Sequence, residues 1–292
     1  MGNGYDIAKS TPAFKKIEVS SLMFSEYRCA EEKSIFTTWN HLNYFIYVLE
    51  GKKKWRTLEH SYMVHANEVL FVKKGAHIIE KYFDTDFCAM VIFIPDTYVR
   101  DFISQKPEIG ANQKSGLQSD SAIPLKMNRT LSIYFTSMLD YFFNQEKPSK
   151  YLMEIKFQEL LVNILSMPNN PEIGSYFKEI AQEFKPSIKN IMESNFVYNL
   201  SLTEFARLSH RSLSTFNRDF YSAYGIPPGK WLTKKRLLHA KRLLESTNQK
   251  IYEVAFDCGF ESPAHFTRAF KNENGITPLK FQKEKLSIRE AS

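Results

Sequence analysis

The chain reads as an α+β protein of two domains. The N-terminal part is β-rich and ends in a pair of helices. The C-terminal part is all-helical and built from two copies of one helix–turn–helix unit. Three observations predict this: a motif near the C-terminus occurs twice, short apolar runs separated by turn residues are concentrated in residues 17–95, and the net charge of +7 is carried wholly by one end of the chain. At 292 residues, two domains are also the expectation from length.

The repeat fixes the C-terminal part. Ser212, Phe216, Arg218, Phe220, Gly225, Ile226 and Pro228 recur fifty residues later as Ser262, Phe266, Arg268, Phe270, Gly275, Ile276 and Pro278. Upstream the offset is forty-nine, pairing Glu204 and Ala206 with Glu253 and Ala255, so one extra residue falls between Ala255 and Ser262. Each copy is about thirty residues, too short for a core of its own. Ser201 with Glu204 predicts a capping box, followed by buried Leu202, Phe205, Ala206 and Leu208. Ser209-His210-Arg211 is the turn. Ser212 is the expected N-cap of the next helix, with Leu213, Phe216 and Phe220 on its buried face. In the second copy Ile251, Val254 and Ala255 open the pattern and Gly259 supplies a left-handed turn. Ser262 caps, Pro263 takes the first helical position, and Phe266 and Phe270 face inward.

The opposite faces of the two second helices carry the candidate site. At about 100° per residue, Arg211, Ser214 and Arg218 point away from the phenylalanines, with Ser212, Thr215 and Asn217 beside them. In the second copy Arg268 has that place, near Glu261, Ser262, Ala264, His265 and Thr267. Such side chains donate to and accept from base edges in a major groove. One such helix alone is as well explained as a solvated face. Two with arginine at the same repeat position are not.

Residues 186–283, about one third of the chain, resemble the DNA-binding domain of the AraC/XylS family of bacterial transcription regulators, most specifically over KKRLLHAKRLLESTNQKIYEVAFDCGFESPAHFTRAFKNENGITPLKF, residues 234–281. The resemblance implies two helix–turn–helix units joined by a long helix, both entering successive major grooves on one face of a promoter duplex, with RNA polymerase as a further partner. His210 departs from the pattern by standing opposite Gly259. The joining helix is expected over 231–245, with Leu237, Leu238, Ala240, Leu243 and Leu244 inward. Lys234, Lys235, Arg236, Lys241 and Arg242 are candidates for phosphate contacts only.

Charge agrees with this division. Residues 186–292 hold 17 Lys and Arg against 10 Asp and Glu, and residues 1–185 hold 22 of each. A basic domain beside a neutral one implies a nucleic-acid partner for the basic one alone. No apolar run approaches the ~18 residues of a membrane helix, and MGNGYDIAKS lacks a secretion-signal core. Cys29, Cys88 and Cys258 are few, odd in number and scattered. Reduced thiols in a cytoplasmic, nucleoid-associated protein are therefore expected.

In the N-terminal part, Phe45–Leu49, Val69–Val72 and Ala89–Ile94 are apolar runs bounded by Gly51, Lys73-Lys74-Gly75 and Pro95, which predicts a small β-barrel or sandwich. YFIYVLEGKKKW and NEVLFVKKGAHII resemble the cupin-like N-terminal domain common in that family. With IFIPDTYVRDFI they look more like the N-terminal domains of activators of type III secretion, a branch typically controlled by a protein partner, than like sugar sensors. Cupin enzymes hold a metal through a His-x-His cluster. His41, His60, His65 and His77 form none, so neither metal nor cofactor is expected. A cupin-type enzyme with a DNA-binding tail is the alternative to a regulator that is no enzyme. Phe36, Trp39, Tyr44, Ile46, Val48 and Trp55 are the candidate effector pocket, or else simply fill the interior.

Residues 107–125 read as a loop. Helices are expected near 127–144 and 151–166, the second with Leu152, Ile155, Leu160, Ile164 and Leu165 on one side. They cover the barrel, and the family resemblance adds a homodimer contact. Pro168-Asn169-Asn170-Pro171 is the expected boundary. This gives an effector domain over 1–168, a linker with a helix over 169–185, and the DNA-binding domain over 186–292.

Overall fold

The computed structural model describes the chain apart from residues 29–33, 83–85, 111–115, 118, 144–147, 167–168, 183–184 and 291–292. Cys29 and Pro168 lie outside the described residues. The chain divides into two compact units, Met1–Pro186 and Ser187–Ser292.

The first unit runs through β1 (Gly2–Asn3), α1 (Gly4–Ser10), β2 (Lys16–Val19), β3 (Leu22–Arg28), β4 (Ile35–Asn40), β5 (Asn43–Glu50), β6 (Lys52–Arg56), β7 (Ser61–His65), β8 (Val69–Val72), β9 (Gly75–Lys81) and β10 (Cys88–Ile94). It continues with α2 (Asp96–Gln105), α3 (Pro107–Gly110), β11 (Ala122–Pro124), α4 (Arg129–Phe143), α5 (Lys150–Ser166) and α6 (Pro171–Gln182). The strands form two sheets, a five-stranded one in the order β1-β4-β9-β6-β7 and a six-stranded one in the order β11-β8-β5-β10-β3-β2. The sheets face each other without closing, so the expected barrel is a barrel in outline only. Gly51, at φ 78°, takes the chain from one sheet to the other between β5 and β6.

The six-stranded sheet is buried on both faces, which is why β5, β8 and β10 read as unbroken apolar runs. Alternate side chains of β5 go opposite ways. Tyr44, Ile46 and Val48 meet Trp55, Val64 and Ile79 of the five-stranded sheet. Phe45 and Tyr47 join Phe71 and Ile92 against Phe135, Phe157 and Phe177 of the helical layer. In α5 the inward positions are Met153, Phe157, Leu160, Leu161, Ile164 and Leu165. Ile155, expected inward, is 44% exposed. The true stripe is set by Met153 and Phe157, and Ile155 lies off it.

The expected linker is corrected by α6. Its Ile173, Phe177 and Ile180 belong to the core of the first unit. Asn170 is buried, accepting from the Lys126 backbone N–H at 2.8 Å. Pro171 is the first residue of that helix, where a missing N–H costs nothing. Pro171 is therefore a helix start rather than a boundary, and the units part at residue 186. A buried polar group anchors α6 further: Asn43 Oδ1 accepts from Tyr176 OH at 2.9 Å and from the Lys74 backbone at 3.0 Å. Asn43 Nδ2 donates to Asp96 Oδ1 at 2.8 Å, and Lys74 Nζ pairs with the same carboxylate. Asp96 opens α2, where the helix dipole favours its charge.

The second unit comprises α7 (Ile188–Asn195), α8 (Leu202–Leu208), α9 (Leu213–Tyr224), α10 (Pro228–Ser246), α11 (Ile251–Asp257), α12 (Pro263–Asn274) and α13 (Pro278–Glu290). The predicted capping box closes both ways, Ser201 Oγ accepting from Glu204 N at 3.3 Å and Glu204 Oε2 from Ser201 N at 2.7 Å. α9 and α12 each end on a left-handed glycine, Gly225 and Gly275. Helix α10 serves both copies. Its Trp231 meets Phe220 and Tyr224 at centroid distances of 6.0 and 5.9 Å. Its Leu237, Ala240 and Leu244 share a core with Val254, Phe266 and Phe270. Leu238, expected inward, is 48% exposed.

The second copy also touches the α7–α8 loop, which leads into the first. Arg236 Nε donates to Phe196 O at 2.7 Å and Nη2 to Tyr198 O at 2.8 Å, tying the α7–α8 loop to α10. Gly259, in the turn of the second copy, lies on that loop. A Cβ there would stand 2.6 Å from the Val197 carbonyl oxygen, and its φ of +79° is the left-handed region.

Two outcomes follow for stability. Gly259→Ala combines a left-handed backbone, about 1–2 kcal/mol for an L-residue, with a collision on Val197 O. It should lower the stability of the second unit by at least that amount in denaturant unfolding of the full chain; an unchanged midpoint would contradict the junction. His77 is 1% exposed, and among the described residues neither ring nitrogen has a well-formed hydrogen-bond partner. Burial lowers its pKa from 6.5 to about 4, with Asp120 and the nearby Ser121 backbone opposing only in part. The unfolded chain therefore takes a proton before the folded one. Stability is held above about pH 6.5 and falls towards pH 4 by on the order of 3 kcal/mol. His77→Leu should flatten this loss in pH-dependent unfolding of the first unit.

Candidate nucleic-acid interface

Each reading helix is aimed by its phenylalanines. Phe216, Phe220, Phe266 and Phe270 are all 0% exposed. The residues that remain outside follow from the helical period. On α9, Ser214 and Arg218 are exposed and Thr215 is half-buried. On α12, His265 and Arg268 are exposed and Thr267 half-buried. Ser212 and Ser262 are the N-caps, accepting from Thr215 N and His265 N at 3.2 Å each. Their hydroxyls therefore shape the helix start. Ser212 Oγ also lies 3.1 Å from Ser214 Oγ and donates to Thr215 Oγ1 at 2.9 Å, so these three hydroxyls form one polar edge.

Three candidates sit otherwise than expected. Arg211 is folded back: Nη1 donates to Ser209 O at 2.8 Å and Nε to Asp219 Oδ2 at 3.1 Å. Asn217 is half-buried, with Oδ1 turned inward and without a hydrogen-bond partner. Glu261 is exposed but accepts from Asn199 Nδ2 at 3.4 Å, across the contact between the second copy and the α7–α8 loop. Asp219 escaped the sequence reading, although an acid directly after Arg218 on an otherwise basic face was the signal for it. The hydrogen bond from Arg211, ahead of the charges of Arg218 and Arg211, holds its carboxyl below the usual range.

The turns agree better than their residues do. His210 has φ 54° and Gly259 φ 79°, so both stand in the left-handed region at equivalent places. Of the five charged candidates on α10, Arg236 is engaged with backbone carbonyls, and Lys235 pairs with Glu193 at 2.7 Å. Lys241 lies over the Phe281 ring at 5.5 Å. Lys234 and Arg242 are exposed. Cys258 is fully buried and its thiol is pushed up to about 12 by burial, which leaves it inert.

In the first unit, Tyr44, Ile46, Val48 and Trp55 come together between the sheets, with Phe36 packed against them. Trp55 Nε1 donates to Tyr44 OH at 3.3 Å, and burial raises the pKa of that hydroxyl. Trp39 does not join them. Phe36 pairs with Ile79 and Trp39 with Ala76, so the two rings leave β4 on opposite faces. A cation also shares the interior: Lys53, 1% exposed, has Nζ 4.1 Å from the Phe87 ring centre and 4.6 Å from that of Tyr27. Among the described residues no three His, Cys, Asp or Glu are grouped to hold a metal. No described helix is long and apolar enough to cross a membrane.

Comparison with known proteins gives two family matches, the ExsA N-terminal regulatory domain over residues 43–176 and a helix-turn-helix domain over residues 205–284. The HTH-type transcriptional regulator ExsA of Pseudomonas aeruginosa is 22% identical over 268 residues, 90% of this chain and 91% of its own. The thermoregulatory protein LcrF of Yersinia pestis is 24% identical over 260 residues, covering 87% and 94%. The virulence regulon transcriptional activator VirF of Yersinia enterocolitica is 23% identical over 259 residues, again 87% and 94%. Among solved structures, ToxT from Vibrio cholerae aligns over 90% of this chain and 98% of its own at 14% identity and a TM-score of 0.40.

Arg218 and Arg268, outward and matched, generate the sharpest expectation here. Alanine at either should weaken binding to a preferred duplex by roughly 1–3 kcal/mol if the guanidinium reads guanine. It should also relax base preference over one half of the site. Binding titrations with matched and mismatched duplexes check this; unchanged affinity and preference in both variants would remove these residues from the interface.

Proposed function

We propose that the chain is a transcription regulator of the AraC/XylS kind and that it activates transcription by reading two successive major grooves of a promoter. The carrying observation is the pair Arg218 and Arg268, each opposite two fully buried phenylalanines, in a unit that holds the whole net charge. One chain then covers two grooves about one helical turn apart. The halves of the site differ because Ser214 and Thr215 stand where the other helix has Ala264 and His265. RNA polymerase is the further partner, and the bacterial cytoplasm, on the DNA, is the place of action.

The first unit is the regulatory one. Its matched family is a regulatory domain, and its full-length relatives are regulators and activators by name. The effector, small molecule or protein, acts through this unit. That Tyr44, Ile46, Val48 and Trp55 occupy the space between the sheets favours a protein at the surface. Ile133 on α4 and Tyr151 and Ile155 on α5 are 59%, 74% and 44% exposed, which supports a second copy of the chain on this helical layer.

The test is selection from a pool of random duplexes by the full chain. A bipartite, non-palindromic site with its halves about one helical turn apart is expected. Enrichment of no sequence, or of a single short half alone, would overturn the reading.

A further inference from the structure

The two copies lock their turns by different chemistry. In the second, Phe260 follows the turn. Its N–H donates to Ala255 O at 3.0 Å, and its ring lies 5.1 Å from that of Phe266. In the first, Arg211 has the same backbone place, its N–H donating to Ala206 O at 3.0 Å. A guanidinium is not accommodated as a phenyl ring is. It runs instead along α9 and forms its charge-assisted hydrogen bond to Asp219 Oδ2, with the Arg211 side chain only 12% exposed. The other carboxylate oxygen, Oδ1, faces Arg218 Nη2 at 3.5 Å. In the second copy the residue after the matched arginine is Ala269, and no acid stands there.

We propose that Arg211 and Asp219 are positioning residues: an ionic clamp that sets the first reading helix on its turn and fixes the direction from which Arg218 enters the groove. Arg211 is then not a base reader. The clamp rests on the DNA-reading proposal above. It carries a consequence that an ordinary surface pair lacks. A carboxylate close to DNA opposes phosphate, so its removal alone strengthens attraction to any duplex. Under the clamp, its removal also costs sequence preference.

The experiment is random-duplex selection with the full chain as wild type, R211A, D219A, D219N and the double variant R211A/D219A, with unfolding midpoints recorded for each. D219N keeps the shape of the side chain and serves where D219A does not fold. The half flattened by R218A marks the site of the first copy. Each single variant should lose about three- to tenfold of the base preference in that half, the range expected for residues of one network. The other half should keep its preference, and the double variant should be no worse than a single. The clamp is overturned if D219A and D219N keep wild-type preference while R211A loses it, since Arg211 would then read bases directly. It is equally overturned if the two losses multiply in the double variant. Failure of the wild type to enrich any sequence would strike the underlying reading instead.

Discussion

The Val197 carbonyl oxygen stands where only a glycine can lie against it. That contact, at Gly259, joins the second copy of the repeat to the α7–α8 loop that leads into the first, and Arg236 holds the loop on the other side through Phe196 and Tyr198. Each copy is too small to bury its own apolar face. Both therefore pack on α10, and a helix alone would leave their turns free to shift. The loop contact removes that freedom. It makes the angle between α9 and α12 a property of the fold. The residues that do this are not the ones that touch a ligand. Arg236 is a buried cation serving backbone carbonyls, with burial lowering its pKa.

The first unit is built on another constraint, a sheet covered on both sides. The five-stranded sheet takes one face and the helices α2 and α4–α6 the other. This leaves little of the six-stranded sheet to solvent. Helix α6 is held by Phe177 between Phe45 and Phe71, with centroid distances of 6.4 and 5.3 Å, and by Tyr176 on Asn43. Packed side chains therefore tie α6 into the core of the first unit as far as Ile180.

The repeat made the second unit legible almost residue by residue, because both copies obey the same capping and packing rules. Ser201 with Glu204, Ser212 and Ser262 stand where a helix start requires them. The sequence places Arg211 outward among the base readers, because the one-residue slip hides its backbone equivalence to Phe260. His210 looked like a departure from Gly259, yet the backbone takes the same left-handed turn at both. Ile155 and Leu238 were placed inward on composition, whereas the buried stripe is fixed by larger neighbours. Pro168-Asn169-Asn170-Pro171 reads as a domain boundary in sequence, whereas Pro171 is the first residue of α6. The aromatic residues Phe36 and Trp39, three apart on one strand, cannot line the same space, and the alternation of the strand already contained that answer.

Under the proposed function one chain presents two reading helices at a fixed separation. Hydroxyl-radical footprinting of the full chain at saturating concentration on a selected duplex measures this directly. Two protected windows about one helical turn apart on one face of the duplex are expected, with R268A clearing one window and R218A the other. A single window, or two that vanish together in either variant, would contradict it.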